Sequence, residues 1–159
     1  MRNLLLLLTL ATLAIGPSAH ARTNILLFTA DDLHAGSLGV YGGRPADLTP
    51  NLDAFAAQGR LFERAHVNVG ICAPCRAVIA TGRYSHRSGA MGFMPAREDV
   101  PDIVNTLQAG GYLAGILGKV GHSSPKKSIE WDYHFDQKDL GNGRDPELYY
   151  ARARTFLGR

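Results

Sequence analysis

The chain has 159 residues, 45% of them hydrophobic and 19% charged, with 17 Lys and Arg against 14 Asp and Glu for a net charge of +3. A surplus this small, without a clustered basic face, excludes a nucleic-acid-binding module. Two cysteines are too few for a disulfide framework, and no internal repeat or low-complexity tract is present.

Residues 1–21 open with Arg2, run through an apolar stretch from Leu4 to Ile15 and close on Ala19-His20-Ala21. This is the pattern of a signal peptide, because the apolar run is short for a membrane span and the A-x-A ending suits leader peptidase. Residues 22–159 are therefore expected in the periplasm or secreted, with no stable membrane insertion after the leader is removed. Residues 24–29, Asn-Ile-Leu-Leu-Phe-Thr, predict a strand buried on both faces of a parallel sheet. The strand delivers Asp31 and Asp32 to its C-terminal end, the edge where ligands bind in open α/β sheets. Two adjacent carboxylates there are costly without a positive charge beside them. The bland alternative is a pair capping a turn.

Thr49-Pro50 predicts a helix start and Gly59 its end, with Leu52, Phe55 and Ala56 on one face. Residues 61–67 read as a strand. A helix begins at Cys72, and residues 84–95 after it read as a Gly-rich, aromatic loop containing His86. Pro101-Asp102 opens a helix with Ile103, Val104 and Leu107 inward, ended by Gly110-Gly111. Residues 112–117 predict a strand that hands Gly118-Lys119-Val120-Gly121-His122 to a loop. Residues 123–144 are polar and irregular, with Trp131, Tyr133, His134 and Phe135 as an aromatic cluster. Asp145-Pro146 then starts a last helix on which Arg152 and Arg154 read as a solvated face. The alternation of strands and helices gives an α/β class with a largely parallel sheet flanked by helices.

The chemistry concentrates in Cys72-Ala73-Pro74-Cys75-Arg76. Pro74 suits a first helical turn, where its missing N–H costs nothing. Cys72 is thereby set at a helix N-terminus, where backbone N–H groups and the positive end of the dipole favour an anion. Arg76 adds a permanent cation about one turn further in. A C-x-x-C redox pair or half of a zinc site is the alternative, and it lacks a second C-x-x-C or a supporting His pair.

The pattern C-x-P-x-R followed by T-G resembles the formylglycine-dependent sulfatases of the alkaline phosphatase superfamily. The strand ending in Asp31-Asp32, the Thr49-Pro50-Asn51-Leu52-Asp53 helix and the Gly118-Lys119-Val120-Gly121-His122 loop match the same family in the same order. A fainter likeness, in residues 86–92 and Gly143-Arg144, runs to heparan N-sulfatase and iduronate-sulfatase members. One departure stands out: the family more often has Ser or Ala where this chain has Cys75, and that second thiol could pair with an unconverted Cys72.

The resemblance implies that Cys72 is the modified residue, oxidised by a formylglycine-generating maturation enzyme. It implies Ca²⁺ held by Asp31, Asp32 and residue 72, catalytic roles for Arg76, Lys119 and His122, and substrate contact by Lys119, His122 and His86. The implied reaction is hydrolysis of a sulfated glycan or related small sulfate ester. Hydrated formylglycine attacks sulfur with one hydroxyl, the alcohol or amine departs, and the second hydroxyl expels sulfate. Members of the family are several times longer, so residues 22–159 are expected to be a truncated N-terminal part of the catalytic domain, with little or no activity alone. The rival readings are a phosphonate or phosphodiester hydrolase of the same superfamily, a non-catalytic relic, and a C-x-x-C oxidoreductase.

Overall fold

The structure, a computed structural model, describes residues 22–45 and 47–159. The signal-peptide reading of residues 1–21 lies outside the described residues. The chain divides into two compact units, Met1–Leu33 and His34–Arg159. Among the described residues no helix is long and apolar enough to cross a membrane.

In the first unit, residues 24–29 form no strand, contrary to the sequence expectation, and Ile25, Leu26, Leu27 and Phe28 are all exposed. An apolar run becomes a buried strand only when neighbours pair with both of its edges. Among the described residues the only ladder joins two other segments.

The second unit holds the helices where turn chemistry places them. Helix α1, Pro50–Gln58, starts with Pro at the first position and ends before Gly59. Thr49 is its N-cap, but the Thr49 hydroxyl does not cap the helix. It accepts from the Gly39 N–H at 2.9 Å and donates to Asp53 Oδ1 at 3.1 Å. Asp53 Oδ1 also accepts from the Val40 N–H at 2.9 Å. The polar residues of Thr-Pro-Asn-Leu-Asp thus tie a 3-10 turn, Gly39–Tyr41, to the helix. The expected apolar face of α1 is open to solvent, with Leu52 and Phe55 exposed. Residues 61–67, expected as a strand, are irregular and exposed for the same want of a ladder partner.

Helix α2, Cys72–Thr81, ends at Gly82, whose φ of 62° lets its N–H reach the Val78 carbonyl at 2.8 Å. The short helix α3, Ser85–Ser88, and helix α4, Ile103–Ala109, both pack on α2. Ala77 of α2 forms a buried cluster with Ala90 and Ala96. Asp102 caps α4 by accepting from the Asn105 N–H at 2.9 Å. Val104 is buried as expected, but Ile103 points outward and is exposed, which fits a helix buried along one stripe only.

The sheet is parallel, as expected, and pairs β1, Gly115–Leu117, with β2, Tyr133–Phe135, in the register Gly115 to Tyr133, Ile116 to His134 and Leu117 to Phe135. β2 lies inside the stretch read as irregular. Its aromatic residues divide by strand alternation. Tyr133 and Phe135 share one face, 5.1 Å apart, and Tyr133 stacks on Phe156 of helix α5, Pro146–Leu157, at 5.4 Å. His134 is exposed, and Trp131 is committed elsewhere. Arg152 is half-buried rather than a freely solvated residue: its guanidinium lies 4.0 Å from the Phe135 ring centre. Gly115 admits this packing, because a Cβ there would stand 3.0 Å from the Phe156 ring.

Asp132 fixes the start of the register. Its carboxylate accepts from the Ala114 N–H at 2.8 Å and the Gln108 amide at 2.9 Å, and these bonds hold its pKa below the usual carboxylate value. A depressed folded pKa contributes stability that is present above the unfolded pKa and is lost as pH falls through the folded one. We expect the urea midpoint to drop on acidification below about pH 4 and Asp132→Asn to flatten that drop. An identical acid response in the variant would contradict the assignment.

Candidate active site

The site in the second unit is built on two adjoining pieces, the start of α2 and the loop over residues 118–123. Cys72 is the first residue of α2 and both it and Arg76 are half-buried. Ile71, the N-cap, is extended and offers no side-chain cap, and the first turn holds no acidic residue. The first intrahelical bond runs from the Cys75 N–H to the Ile71 carbonyl at 3.0 Å, with Pro74 buried beside it. A helix start with no carboxylate and no side-chain oxygen from its cap leaves its first N–H groups and the dipole directed at an incoming anion. Arg76 adds a full positive charge one turn in.

The loop after β1 carries Lys119 and His122 and packs, through the 3-10 turn Val120–His122, against α2. Four fastenings hold it. The Gly118 N–H donates to the Phe135 carbonyl at 2.7 Å, extending the ladder past β1. The Val120 N–H donates to Asp136 Oδ1 at 3.2 Å. Ser123 Oγ accepts from Trp131 Nε1 at 3.1 Å. Ser124 Oγ accepts from the buried Ala96 N–H at 2.7 Å and anchors the exit.

Lys119 itself sits in the left-handed region, φ 54° and ψ 28°, directly after Gly118 at φ 75°. A non-glycine residue there costs about 1–2 kcal/mol, and such strain gathers where a side chain must be aimed. His122 is half-buried, and its Nδ1 is buried without a hydrogen-bond partner among the described residues. No protein contact at Nδ1 therefore fixes the ring's tautomer.

The remaining sequence candidates lie on other segments of the chain. Asp31 and Asp32 end the first unit as exposed carboxylates, and Asp32 has a φ of 53°. Among the described residues no group of three or more His, Cys, Asp or Glu converges as a metal cage. His86 lies on α3 and is exposed, its ring stacked on Tyr84 at 5.8 Å.

Asp136 and Trp131 were missed by sequence reasoning, although both fasten the loop. Asp136 had a visible signal. It stands three residues before Asp139, the spacing of a capping box, and the two do form one at the 3-10 helix Gln137–Leu140. Trp131 carried no such signal, since its partner Ser123 is reached only across the fold.

Comparison with known proteins agrees with the motifs. The Sulfatase family model matches residues 23–146. Arylsulfatase A of Bos taurus is 45% identical over 121 residues, 70% of this chain and 23% of that protein. N-acetylgalactosamine-6-sulfatase of Canis lupus familiaris is 36% identical over 182 aligned positions, 97% of this chain and 34% of that protein. An ulvan-active sulfatase of Formosa agariphila is 31% identical over 116 residues, 72% of this chain and 23% of that protein. The chain thus spans only 23% to 34% of the length of these relatives.

Proposed function

The chain belongs to the sulfatase family, and on that premise we propose that it carries the nucleophile-bearing portion of a sulfuric ester hydrolase acting on a sulfated glycan or a related small sulfate ester. The observation that carries this reading is the start of α2. Cys72 occupies the first position of a helix whose first turn has neither an acidic residue nor a cap side chain, with Arg76 one turn in and the His122 turn packed alongside.

Conversion of Cys72 to formylglycine by a maturation enzyme would supply, as its hydrate, one hydroxyl for attack and a second for release of sulfate. The chain's own residues do the rest. The N–H groups of the first turn and Arg76 orient the sulfate oxygens and offset their charge. Lys119, aimed by its left-handed backbone, contacts the sulfate group. His122 holds a proton on its ring for the leaving oxygen. His86, exposed and stacked on Tyr84, contacts the rest of the substrate.

Asp31 and Asp32 fit a Ca²⁺ ion in donor chemistry, since adjacent exposed carboxylates offer hard oxygens. They form part of a ligand set, because calcium takes roughly six to eight oxygens. Bound there, the ion would neutralise charge on a sulfate ester.

The test is turnover by a competent polypeptide that contains these residues. We expect sulfate release from sulfated sugars or aryl sulfates, lost with a chelator and restored by Ca²⁺. Exclusive turnover of phosphodiesters would overturn the proposal in favour of the superfamily's other chemistry.

A further inference from the structure

We propose that Cys72 and Cys75 form a reversible disulfide that competes with maturation of Cys72, making residue 75 a redox gate on the enzyme. The inference rests on the proposed conversion of Cys72. It follows from the first turn of α2, where the two cysteines flank buried Pro74 and are both free and half-buried.

Residues three apart on an α-helix lie on one face as neighbours. Helix geometry sets their Cα atoms about 5 Å apart, inside the roughly 4.4–6.8 Å that a disulfide spans. The turn is already closed by the Cys75 N–H to Ile71 bond at 3.0 Å, so pairing asks for side-chain rotation without unwinding. Partial exposure of both side chains admits a small disulfide as the oxidant.

The step balances as thiol–disulfide exchange. The Cys72 thiolate attacks one sulfur of a small-molecule disulfide such as oxidised glutathione and releases one glutathione thiolate. The Cys75 thiolate then attacks Cys72 Sγ and releases the second. Two protein S–H bonds are lost and one S–S bond forms, while two electrons and two protons pass to glutathione. A Cys72 sulfur held in this bond is not a free thiol, so it cannot enter the conversion to an aldehyde. Reduction returns it.

The experiment uses the full chain and its Cys75→Ser variant in glutathione buffers of graded redox ratio, with alkylation and peptide mass spectrometry over residues 71–83. A second arm adds a formylglycine-generating enzyme and measures the aldehyde at position 72. In the wild type, each tenfold rise in oxidised glutathione over the square of reduced glutathione should raise the ratio of disulfide to dithiol about tenfold. Aldehyde yield should fall in step. In Cys75→Ser the yield should stay flat. Thiols that remain alkylatable across the whole range would overturn the gate while leaving the conversion of Cys72 standing. So would equal redox responses in the two proteins. Absence of aldehyde from every sample, including Cys75→Ser under reducing conditions, would remove the gate together with the functional reading beneath it.

Discussion

Cys72→Ser lowers kcat/KM for a sulfate ester by at least about 10³-fold in a turnover-competent polypeptide containing this chain, the scale on which nucleophile removals act. The exchange swaps a sulfur for an oxygen at the first position of α2, where the backbone N–H is outside the helical ladder and the side chain is half-buried. Folding should be almost untouched, with the unfolding free energy from urea titration changing by no more than surface substitutions usually allow, about 0.5 kcal/mol. The rate loss is chemical. A serine hydroxyl can attack once, but the ester it forms has no second hydroxyl with which to expel sulfate, so turnover stops after one event. Initial rates and a burst measurement on the same preparation decide the matter. A variant that keeps more than a tenth of the wild-type rate contradicts the role.

Lys119 supports a paired test, because its backbone and its side chain make separate demands. Lys119→Met removes the cation and keeps the left-handed residue, and should lower kcat by about 10²-fold, as loss of one charge-stabilising contact does. Lys119→Gly removes the same cation but relieves a φ of 54°. Relief is worth about 1–2 kcal/mol, and glycine gives back roughly 0.5–1 kcal/mol of that through its freedom when unfolded. The glycine variant should therefore match the methionine variant in kcat while being more stable than it by up to about 1.5 kcal/mol. Rates within twofold of the wild type in either variant would remove Lys119 from the chemistry. A glycine variant less stable than the methionine one would show that the backbone there is not strained.

The parts of the fold legible in the sequence are those set by local chemistry. Pro50 and Gly59, Asp102 and Gly110, and Asp145 and Pro146 mark helix ends through caps and fixed φ, and all three helices form there. Strands are different, because a strand exists only through its partner. Residues 24–29 and 61–67 have the apolar content of strands yet pair with nothing in the described ladder. Tyr133, His134 and Phe135, in a polar setting, do pair, because Asp132 on one side and Gly118 on the other fasten the register. Three residues are too few to show a period.

The candidate site divides along the same line. Cys72 and Arg76 sit within one helical turn, so their spacing could be read directly. Lys119 and His122 were visible as a loop after a strand, while the means of holding that loop, Asp136 and Trp131, depend on the parallel crossover. Arg152 shows the converse error. Its place on a polar helix face suggested solvent, and only the fold brings the Phe135 ring beneath it.

The most direct measurement is peptide mass spectrometry over residues 71–83 of turnover-competent protein, with a carbonyl-reactive probe. The expected result is a peptide in which residue 72 has lost its thiol and reacts as an aldehyde. An intact Cys72 thiol throughout a preparation that hydrolyses its sulfate ester at full rate would contradict it.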